Sequence, residues 1–334
     1  MSDTDAMMMK DVANRLRAAR SAAIFTHQRP DPDALGSQAA LALMLGKAGV
    51  GRVVVVNWEP VSGPYAFLQE GVETVTFTPE WAARAADFDT FVVVDTCAYQ
   101  QMEPGAALLR TAHDKVVAID HHVSFDPIGP MILRDPKAAA CVEILTELAH
   151  AMDVALDAAI AARLFSGLVA DTGWFRFDSV TPRTHRVAAE LVAAGAEPAR
   201  LYERLQQNET APKLTLMARA LSGITLAAAG QVALLVVTQR DFAETGASAS
   251  QTEDIVNLAL MVGTVEVAGL VTEMPDGRVR VSLRSKHAVD VNAVCRQFGG
   301  GGHAKAAGCR MDGPPEAARE KMIAAVVAAL GTVR

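Results

Sequence analysis

The chain has 334 residues, of which 51% are hydrophobic and 21% are charged, and its formal charge is −7 at pH 7. This length exceeds one ordinary domain and suits two, each able to bury its own core. The composition excludes a disordered or fibrous protein. The negative charge argues against a surface that holds long duplex nucleic acid through many phosphate contacts.

Membrane-spanning segments, signal segments and paired cysteines indicate where a protein resides. The sequence has no apolar stretch of membrane-spanning length and no signal-like segment at its start, so we expect a cytoplasmic protein without a membrane partner. Its four cysteines lie far apart and form no CxxC pair. This spacing argues against a zinc knuckle and a disulfide framework, and we expect free thiols.

The first half of the chain alternates short β-branched segments with segments of helical period. The strand-like segments are 22–26, 52–57, 90–95 and 115–119, and the helical ones are 37–48, 141–152, 158–170 and 184–194. Such alternation predicts a parallel α/β sheet. Ligands of these sheets bind at the carboxyl ends of the strands.

A polar, proline-bounded segment follows the first half and predicts a connector. We expect a first domain over residues 1–196, a connector over 197–222 and a smaller α/β domain over 223–334. The second domain is predicted to contain strands at 223–227, 231–238, 265–272 and 279–283, and helices at 252–261 and 315–330.

Metal-ligand side chains follow three strand-like segments and one apolar helical segment. These residues are His27, Asp31 and Asp33; Asp95; Asp120, His121 and His122; and Asp171. In a parallel sheet such strand ends share one edge, so the residues can meet although they are distant in sequence. A single Asp after a strand is more often a turn residue, but four such segments together favour a metal site.

The electrostatics of these residues favour a pair of ions. Clustered carboxylates raise one another's pKa unless a cation compensates them. Carboxylate and imidazole without thiolate suit Mn²⁺ or Mg²⁺ better than a thiol-rich zinc site.

A basic, glycine-rich region lies near the end of the chain. Between Arg278 and Arg310 basic residues far outnumber acidic ones, against the trend of the whole sequence. The run Gly299–Gly302 lets backbone amides approach an anion, although a glycine run taken alone is more often a flexible turn. The run lacks the Gly-Lys-Ser/Thr ending of a Walker A loop.

These motifs resemble a known family. His27-x-x-x-Asp31-x-Asp33, Asp95, Asp120-His121-His122 and Asp171-Thr-Gly resemble the four motifs of the DHH phosphoesterases. Arg284-Ser285-Lys286 and Gly299–His303 are similar to the associated DHHA1 domain. The order and length resemble the stand-alone bacterial nanoRNase/pAp phosphatase group. The resemblance implies a parallel-sheet DHH domain joined by a helical connector to a smaller α/β DHHA1 domain.

The resemblance also implies roles for individual residues. Two Mn²⁺ ions are expected, with Mg²⁺ as the alternative: His27 and Asp31 would hold one, Asp33, His121 and Asp171 the other, and Asp95 would bridge them. Asp120 would orient an imidazole, and His122 would face the scissile phosphate or the leaving oxygen. The substrate's terminal phosphate and sugar would contact Arg284, Ser285, Gly301, Gly302 and His303.

The implied activity is hydrolysis of short RNA to 5′-mononucleotides and of adenosine 3′,5′-bisphosphate (pAp) to AMP and phosphate, by a homodimer. The open alternatives are a cyclic di-AMP phosphodiesterase, a RecJ-like single-strand exonuclease, a family II pyrophosphatase and an inactive nucleotide sensor. The Gly299–His303 motif argues against the pyrophosphatase, and the full set of candidate ligands argues against the sensor.

Overall fold

The computed structural model describes residues 3–252 and 254–331. The chain divides into two compact units, Met1–Asn208 and Glu209–Arg334. Their border lies inside the segment that the sequence predicts as the connector; the domain limits predicted at 196 and 223 stay predictions. None of the helices in the described ranges combines the length and the apolarity that a bilayer crossing requires.

A parallel sheet of six strands forms the centre of the first unit. The strands are β1 (Ser21–Phe25), β2 (Arg52–Asn57), β3 (Thr74–Thr76), β4 (Thr90–Val94), β5 (Val116–Asp120) and β6 (Met131–Arg134). Their order across the sheet is β3-β2-β1-β4-β5-β6, and every neighbouring pair is parallel. This arrangement confirms the parallel α/β class predicted from the alternating segments.

The strand order reverses between β1 and β4. The chain runs outward from β1 through β2 to β3, then returns to the other side of β1 and continues from β4 to β6. At such a switch point the connections leave the two central strands in opposite directions and open a crevice at their carboxyl ends. The residues that follow β1 and β4 therefore lie where an α/β sheet binds its ligand.

Helices cover both faces of the first sheet. They are α1 (Asp3–Arg17), α2 (Pro32–Lys47), α3 (Pro79–Arg84), α4 (Ala106–Thr111), α5 (Cys141–Ala151), α6 (Ala158–Asp171), α7 (Pro182–Ala193) and α8 (Pro198–Gln206). The side chains of β1 alternate between two buried clusters: Ala22 and Ile24 join one core, while Ala23 and Phe25 join the other. This alternation is the period of a strand buried on both faces.

The second unit is built on a mixed sheet. Its strands are β7 (Thr225–Ala227), β8 (Val232–Val237), β9 (Val267–Glu273), β10 (Val279–Ser285), β11 (Gly301–His303) and β12 (Ala306–Met311), in the order β11-β12-β10-β9-β8-β7. Among the described strands of this sheet, only β8 and β9 pair in parallel. The helices are α9 (Ala211–Ser222), α10 (Gln239–Thr245), α11 (Ile255–Ala259), α12 (Val291–Arg296) and α13 (Pro315–Gly331). The predicted α/β class of this unit is confirmed.

The structure also departs from the predicted elements. No element was expected where α1 and the short edge strands β3, β6 and β11 lie. Strands of three or four residues leave too few positions for a periodic signal. The segment 197–212 contains α8 and the beginning of α9, in agreement with the helical connector that the resemblance implies. Helix α2 begins at Pro32, five residues before the segment of helical period that starts at residue 37, because the side chain of Asp31 caps it.

Two glycines allow α2 and α6 to pack closely. A Cβ on Gly36 would lie 2.5 Å from the carbonyl oxygen of Arg163, and one on Gly167 would lie 2.6 Å from Asp33 Oδ1. Because α2 carries Asp33 and α6 ends at Asp171, this close approach brings two candidate ligands together.

We predict that Gly36→Ala lowers the free energy of unfolding by about 1–3 kcal/mol, because the new methyl group forces two packed helices apart. Gly46→Ala is the matched control in the same helix, since a Cβ there meets nothing within 4 Å. We expect the control to leave stability unchanged or raise it by up to ~1 kcal/mol. Urea unfolding measures the free energy of unfolding of both variants, and equal effects of the two substitutions would contradict the packing argument.

Candidate metal centre

The segment after β1 presents an imidazole and a carboxylate at the sheet edge. His27 Nδ1 lies 2.8 Å from the carbonyl oxygen of Gln28, which makes Nδ1 the donor. The other ring nitrogen, Nε2, lies 3.4 Å from Asp95 Oδ2. Asp31 caps α2 by accepting the N–H groups of Asp33 and Ala34 through Oδ1. One carboxylate thus serves as a helix cap and as a candidate ligand.

Asp33 is completely buried in the first turn of α2, and backbone donors hold it in place. Its Oδ2 accepts the N–H of Cys141 at 2.7 Å, and its Oδ1 accepts the N–H of Val142 at 3.2 Å. Both donors belong to the first turn of α5, where the helix dipole favours negative charge.

Asp95 lies at the centre of the cluster and has an uncommon backbone conformation. It follows β4 directly with φ of 59°, in the left-handed region, and its N–H donates to the carbonyl of Ile119. The hydroxyl of Thr26 donates to the carbonyl of Val94 and joins the ends of β1 and β4. Asp95 is 2% exposed, and its Oδ1 is buried without a hydrogen-bond partner among the described residues, although His121 Nε2 lies 3.4 Å from it. An orphaned buried carboxylate oxygen calls for a cation or a donor.

The residues after β5 form a second constellation around Asp120. One oxygen of this buried carboxylate accepts the N–H groups of His121 and His122 and lies 2.7 Å from His122 Nδ1. His121 directs Nδ1 to the carbonyl of Ala138 and Nε2 towards two carboxylates, 3.4 Å from Asp95 and 3.3 Å from Asp171. Asp120 therefore orients His122, while His121 faces the cluster.

The candidate ligands fall into two groups joined by close contacts. In each group one ligand atom per residue lies within 4.8 Å of the others: His27, Asp31 and Asp95 in one, and Asp33, His121 and Asp171 in the other. A third group contains Asp95, His121 and His122. The first two groups have the membership that the resemblance implies for two ions, with Asp95 between them; that these residues bind metal stays a prediction.

The pKa shifts reflect crowded negative charge. Burial, followed by the neighbouring carboxylates of Asp95 and Asp171, raises the pKa of Asp33 well above its usual value. Burial alone would lower the pKa of His27, but its contact with Asp95 raises it to about 9. His121 follows the same pattern, and its contacts with Asp171 and Asp95 raise its pKa to about 11. Without a metal, both imidazoles therefore hold protons and supply the missing positive charge.

The donor set fits hard or intermediate divalent ions. It offers carboxylate oxygens and imidazole nitrogens. The nearby thiol of Cys141 does not compete, because burial and Asp33 raise its pKa well above the usual value and keep it protonated. Together with the orphaned oxygen of Asp95, this chemistry is what Mn²⁺ and Mg²⁺ prefer.

In the second unit, the strand register places the side chains predicted to contact the substrate on two different faces of the sheet. Arg284 on β10 is opposite Ala306 on β12, and Ala306 is opposite His303 on β11. Directly opposed residues share a face, so Arg284 and His303 face the same side two strands apart. Ser285 faces the other side, where it is 8% exposed and donates its hydroxyl to the carbonyl of Val289.

The glycine run has a structural reason at two of its positions. A Cβ on Gly300 would lie 2.2 Å from the carbonyl oxygen of Gly308, and one on Gly302 would lie 2.5 Å from that of Ala306. The close pairing of β11 with β12 therefore requires these glycines, whatever Gly301 binds. Gly301 and Gly302 are exposed, as the predicted role in anion binding requires.

Sequence reasoning missed two residues near the predicted contacts. Phe177 is 52% exposed, and its ring covers Gly173, two positions after Asp171. The ring of Trp174, the residue after Gly173, packs against Phe165 and Tyr202. In the second unit Asn292 Oδ1 is buried and has no hydrogen-bond partner in the part of the chain that the structure describes; it is the nearest atom to a Cβ built on Gly301, at 3.9 Å. Only the backbone fold reveals these positions, because neither residue belongs to a motif.

Comparisons with known proteins agree with this geometry. The profile described as DHH family, N-terminal domain, matches residues 21–168. The profile described as DHHA1 domain matches residues 230–332. The first range contains every candidate ligand except Asp171, and the second contains the glycine run.

Individual relatives extend the similarity over most of the chain. The bifunctional oligoribonuclease and PAP phosphatase NrnA of Thermus thermophilus is 31% identical over 312 residues, which are 91% of this chain and 89% of that protein. The probable protein of the same name from Streptococcus mutans is 27% identical over 300 residues, 90% of this chain and 92% of that one. An exopolyphosphatase-related protein from Bacteroides fragilis has the same fold, with a TM-score of 0.83, 20% identity and coverage of 95% of this chain and 96% of that one.

We predict that binding of Mn²⁺ to the metal-free protein releases protons, because the imidazoles of His27 and His121 must lose theirs before they can bind a metal. Their raised pKa values mean that the apparent affinity increases as the pH rises through neutrality, by about tenfold per pH unit for each proton displaced. Calorimetric titration in buffers of different ionisation enthalpy counts the protons. A pH-independent affinity without proton release would contradict this interpretation of the cluster.

Proposed function

The chain belongs to the DHH family of metal-dependent phosphoesterases and carries the DHHA1 domain, and on this premise we propose that it hydrolyses short oligoribonucleotides to 5′-mononucleotides. We propose that it also converts pAp to AMP and phosphate. Both activities appear in the names of its relatives. A homodimer and a cytoplasmic location stay predictions from the sequence.

A single observation carries the proposal. Two groups of oxygen and nitrogen ligands meet at Asp95, at the switch point of the parallel sheet. A phosphodiester and a phosphomonoester both require charge neutralisation on phosphoryl oxygens, so one such centre can serve both substrates.

We propose Mn²⁺ as the resident ion, with two ions per chain and Mg²⁺ as the alternative. His27 and Asp31 would hold one ion, and Asp33, His121 and Asp171 the other, with Asp95 shared between them. Bound ions would supply Lewis-acid polarisation of the phosphate and of water. The backbone donors of α5 fix Asp33, and the carbonyls of Gln28 and Ala138 fix the two imidazoles.

His122 has the features of a general acid for the leaving oxygen. Its Nδ1 contacts Asp120, and this contact raises the pKa of the imidazole, against the effect of burial. Its side chain is 48% exposed, so the ring can reach a substrate. A proton held on His122 can pass to the leaving oxygen as the bond to phosphorus breaks.

Residues of the second unit add affinity for the substrate in this proposal. Arg284 and His303, on one face of the sheet, would contact the terminal phosphate and sugar, and the backbone amides of Gly301 and Gly302 would hold an anion. Ser285 would not contact the substrate as the resemblance implies, because its hydroxyl donates to the carbonyl of Val289 and fixes the chain after β10.

A substrate panel tests the function. With Mn²⁺ present, we expect turnover of 5′-phosphorylated di- and triribonucleotides and of pAp. Cyclic di-AMP, long single-stranded DNA and pyrophosphate should be hydrolysed at least tenfold more slowly. A preference for pyrophosphate or cyclic di-AMP would overturn the substrate assignment, and absence of turnover on every substrate would indicate a sensor.

Substitutions in the second unit should separate affinity from chemistry. Arg284→Ala and His303→Ala remove contacts to the substrate, so we expect KM for a dinucleotide to rise about tenfold or more. Hydrolysis of bis(p-nitrophenyl) phosphate should change little, because this substrate has no terminal phosphate to hold. Arg278→Ala is the matched control, since Arg278 pairs with Asp276 in an exposed turn. Equal losses on both substrates would rule out the affinity role.

A further inference from the structure

A cavity of about 400 Å³ is lined in part by His27, and its other lining residues have no role in the chemistry above. Its size falls in the ~300–1,000 Å³ range of small-molecule sites. The residues used in the argument below are Thr26, Arg29, Trp58, Glu59, Tyr65 and Glu103, all of which line it. Because Thr26 and His27 are consecutive, a group in this cavity is next to the candidate metal ligands.

Trp58 forms a fixed aromatic wall. Its indole N–H donates to the carbonyl of Thr26 at 2.7 Å, the residue immediately before His27. Its ring packs against Phe25 at 5.8 Å and Phe77 at 5.3 Å between centroids. The ring is therefore held in register with the metal centre before any ligand arrives, which lowers the entropy lost on binding.

A buried amide network supports the chain around the cavity, and its member Asn57 lines the cavity next to Trp58. Asn57 and Gln69 exchange two hydrogen bonds through their side chains, at 2.7 and 3.0 Å, and Gln69 also donates to Gln38. Gln38 in turn donates to the carbonyls of Ile24 and Val56, at the ends of β1 and β2. Gln69 ends the 3-10 helix Gly63–Gln69, which carries Tyr65. The network thus ties Tyr65 to the same sheet edge as Trp58.

The charges of the lining decide what kind of ligand fits. Arg29 and the imidazole of His27 are the basic groups of the lining, while Glu59 and Glu103 are carboxylates, and Glu103 also lies 3.9 Å from Arg110. The lining therefore offers carboxylate acceptors and has no excess of basic groups that would select a phosphate. A neutral heteroaromatic ring with amino and hydroxyl groups would stack on the aromatic wall and donate to the carboxylates.

We propose that this cavity is a nucleoside subsite, which takes the base and ribose on one side of the phosphate being cleaved. The proposal rests on the function proposed above and adds a specificity determinant within the first unit. Trp58 and Tyr65 contact the base, and the amide network of Gln38, Asn57 and Gln69 positions them.

Substrates that lack one base test the subsite. The test compares 5′-phosphorylated diadenylate with an analogue in which the base at one of the two positions is replaced by hydrogen. For the wild-type protein, kcat/KM of the intact dinucleotide should be about 5- to 150-fold higher than that of the analogue; we call this quotient the base-removal ratio. Trp58→Leu and Tyr65→Ala should reduce this ratio towards one. Ser62→Trp, at an exposed rim position, should do the same by filling the cavity without disturbing the packed ring of Trp58.

Controls separate the subsite from the function. Tyr202→Leu changes an exposed aromatic residue of α8 outside the cavity and should keep the wild-type ratio. If Trp58→Leu does not fold, as judged by circular dichroism, the ratios measured for Ser62→Trp and Tyr65→Ala test the subsite. Hydrolysis of the dinucleotide with an unchanged base-removal ratio in these variants would overturn the subsite alone. No hydrolysis by the wild-type protein would overturn the proposed function, and the subsite with it.

Discussion

Mutual repulsion among four carboxylates is the constraint on which the first unit depends. Asp31, Asp33, Asp95 and Asp171 come from three distant parts of the chain and converge with two imidazoles at one sheet edge. Burial makes the convergence of these carboxylates more costly, because a low dielectric strengthens their repulsion and burial removes the water that solvates them. The two protonated imidazoles offset the charge of the four carboxylates only in part, and Asp95 Oδ1, 3.4 Å from His121 Nε2, has no hydrogen bond among the described residues. The proposed divalent ions would offset the charge that the protein leaves uncompensated.

The fold meets this constraint with backbone donors and close packing. The first turn of α5 donates two N–H groups to Asp33, and the switch point places the segments after β1 and β4 side by side. Glycines on α2 and α6 let the helices approach closely enough for their carboxylates to meet. Each device is a backbone feature, so the side chains of the cluster remain available for metal and substrate. The same edge supports the cavity at Trp58, whose indole is hydrogen-bonded to the chain just before His27.

Much of this arrangement could be predicted from the sequence, for a physical reason. Strand ends in a parallel sheet share one edge, so a local pattern of β-branched segments followed by Asp or His already implies convergence. Non-local effects could not be read in the same way. The capping role of Asp31, which starts α2 before its helical period becomes evident, depends on side-chain geometry, and the orientation of Ser285 depends on strand register. The wall formed by Trp58 arises from packing among residues that belong to no motif.

Electron paramagnetic resonance of the Mn²⁺-loaded protein, combined with metal analysis, tests the central claim most directly. If one carboxylate joins the two groups of ligands, the wild-type chain binds two Mn²⁺ ions whose spins are coupled, and Asp95→Asn binds fewer ions and loses the coupling while it keeps its fold. A wild-type chain that binds a single uncoupled ion, or an Asp95→Asn variant that retains a coupled pair, would contradict this account.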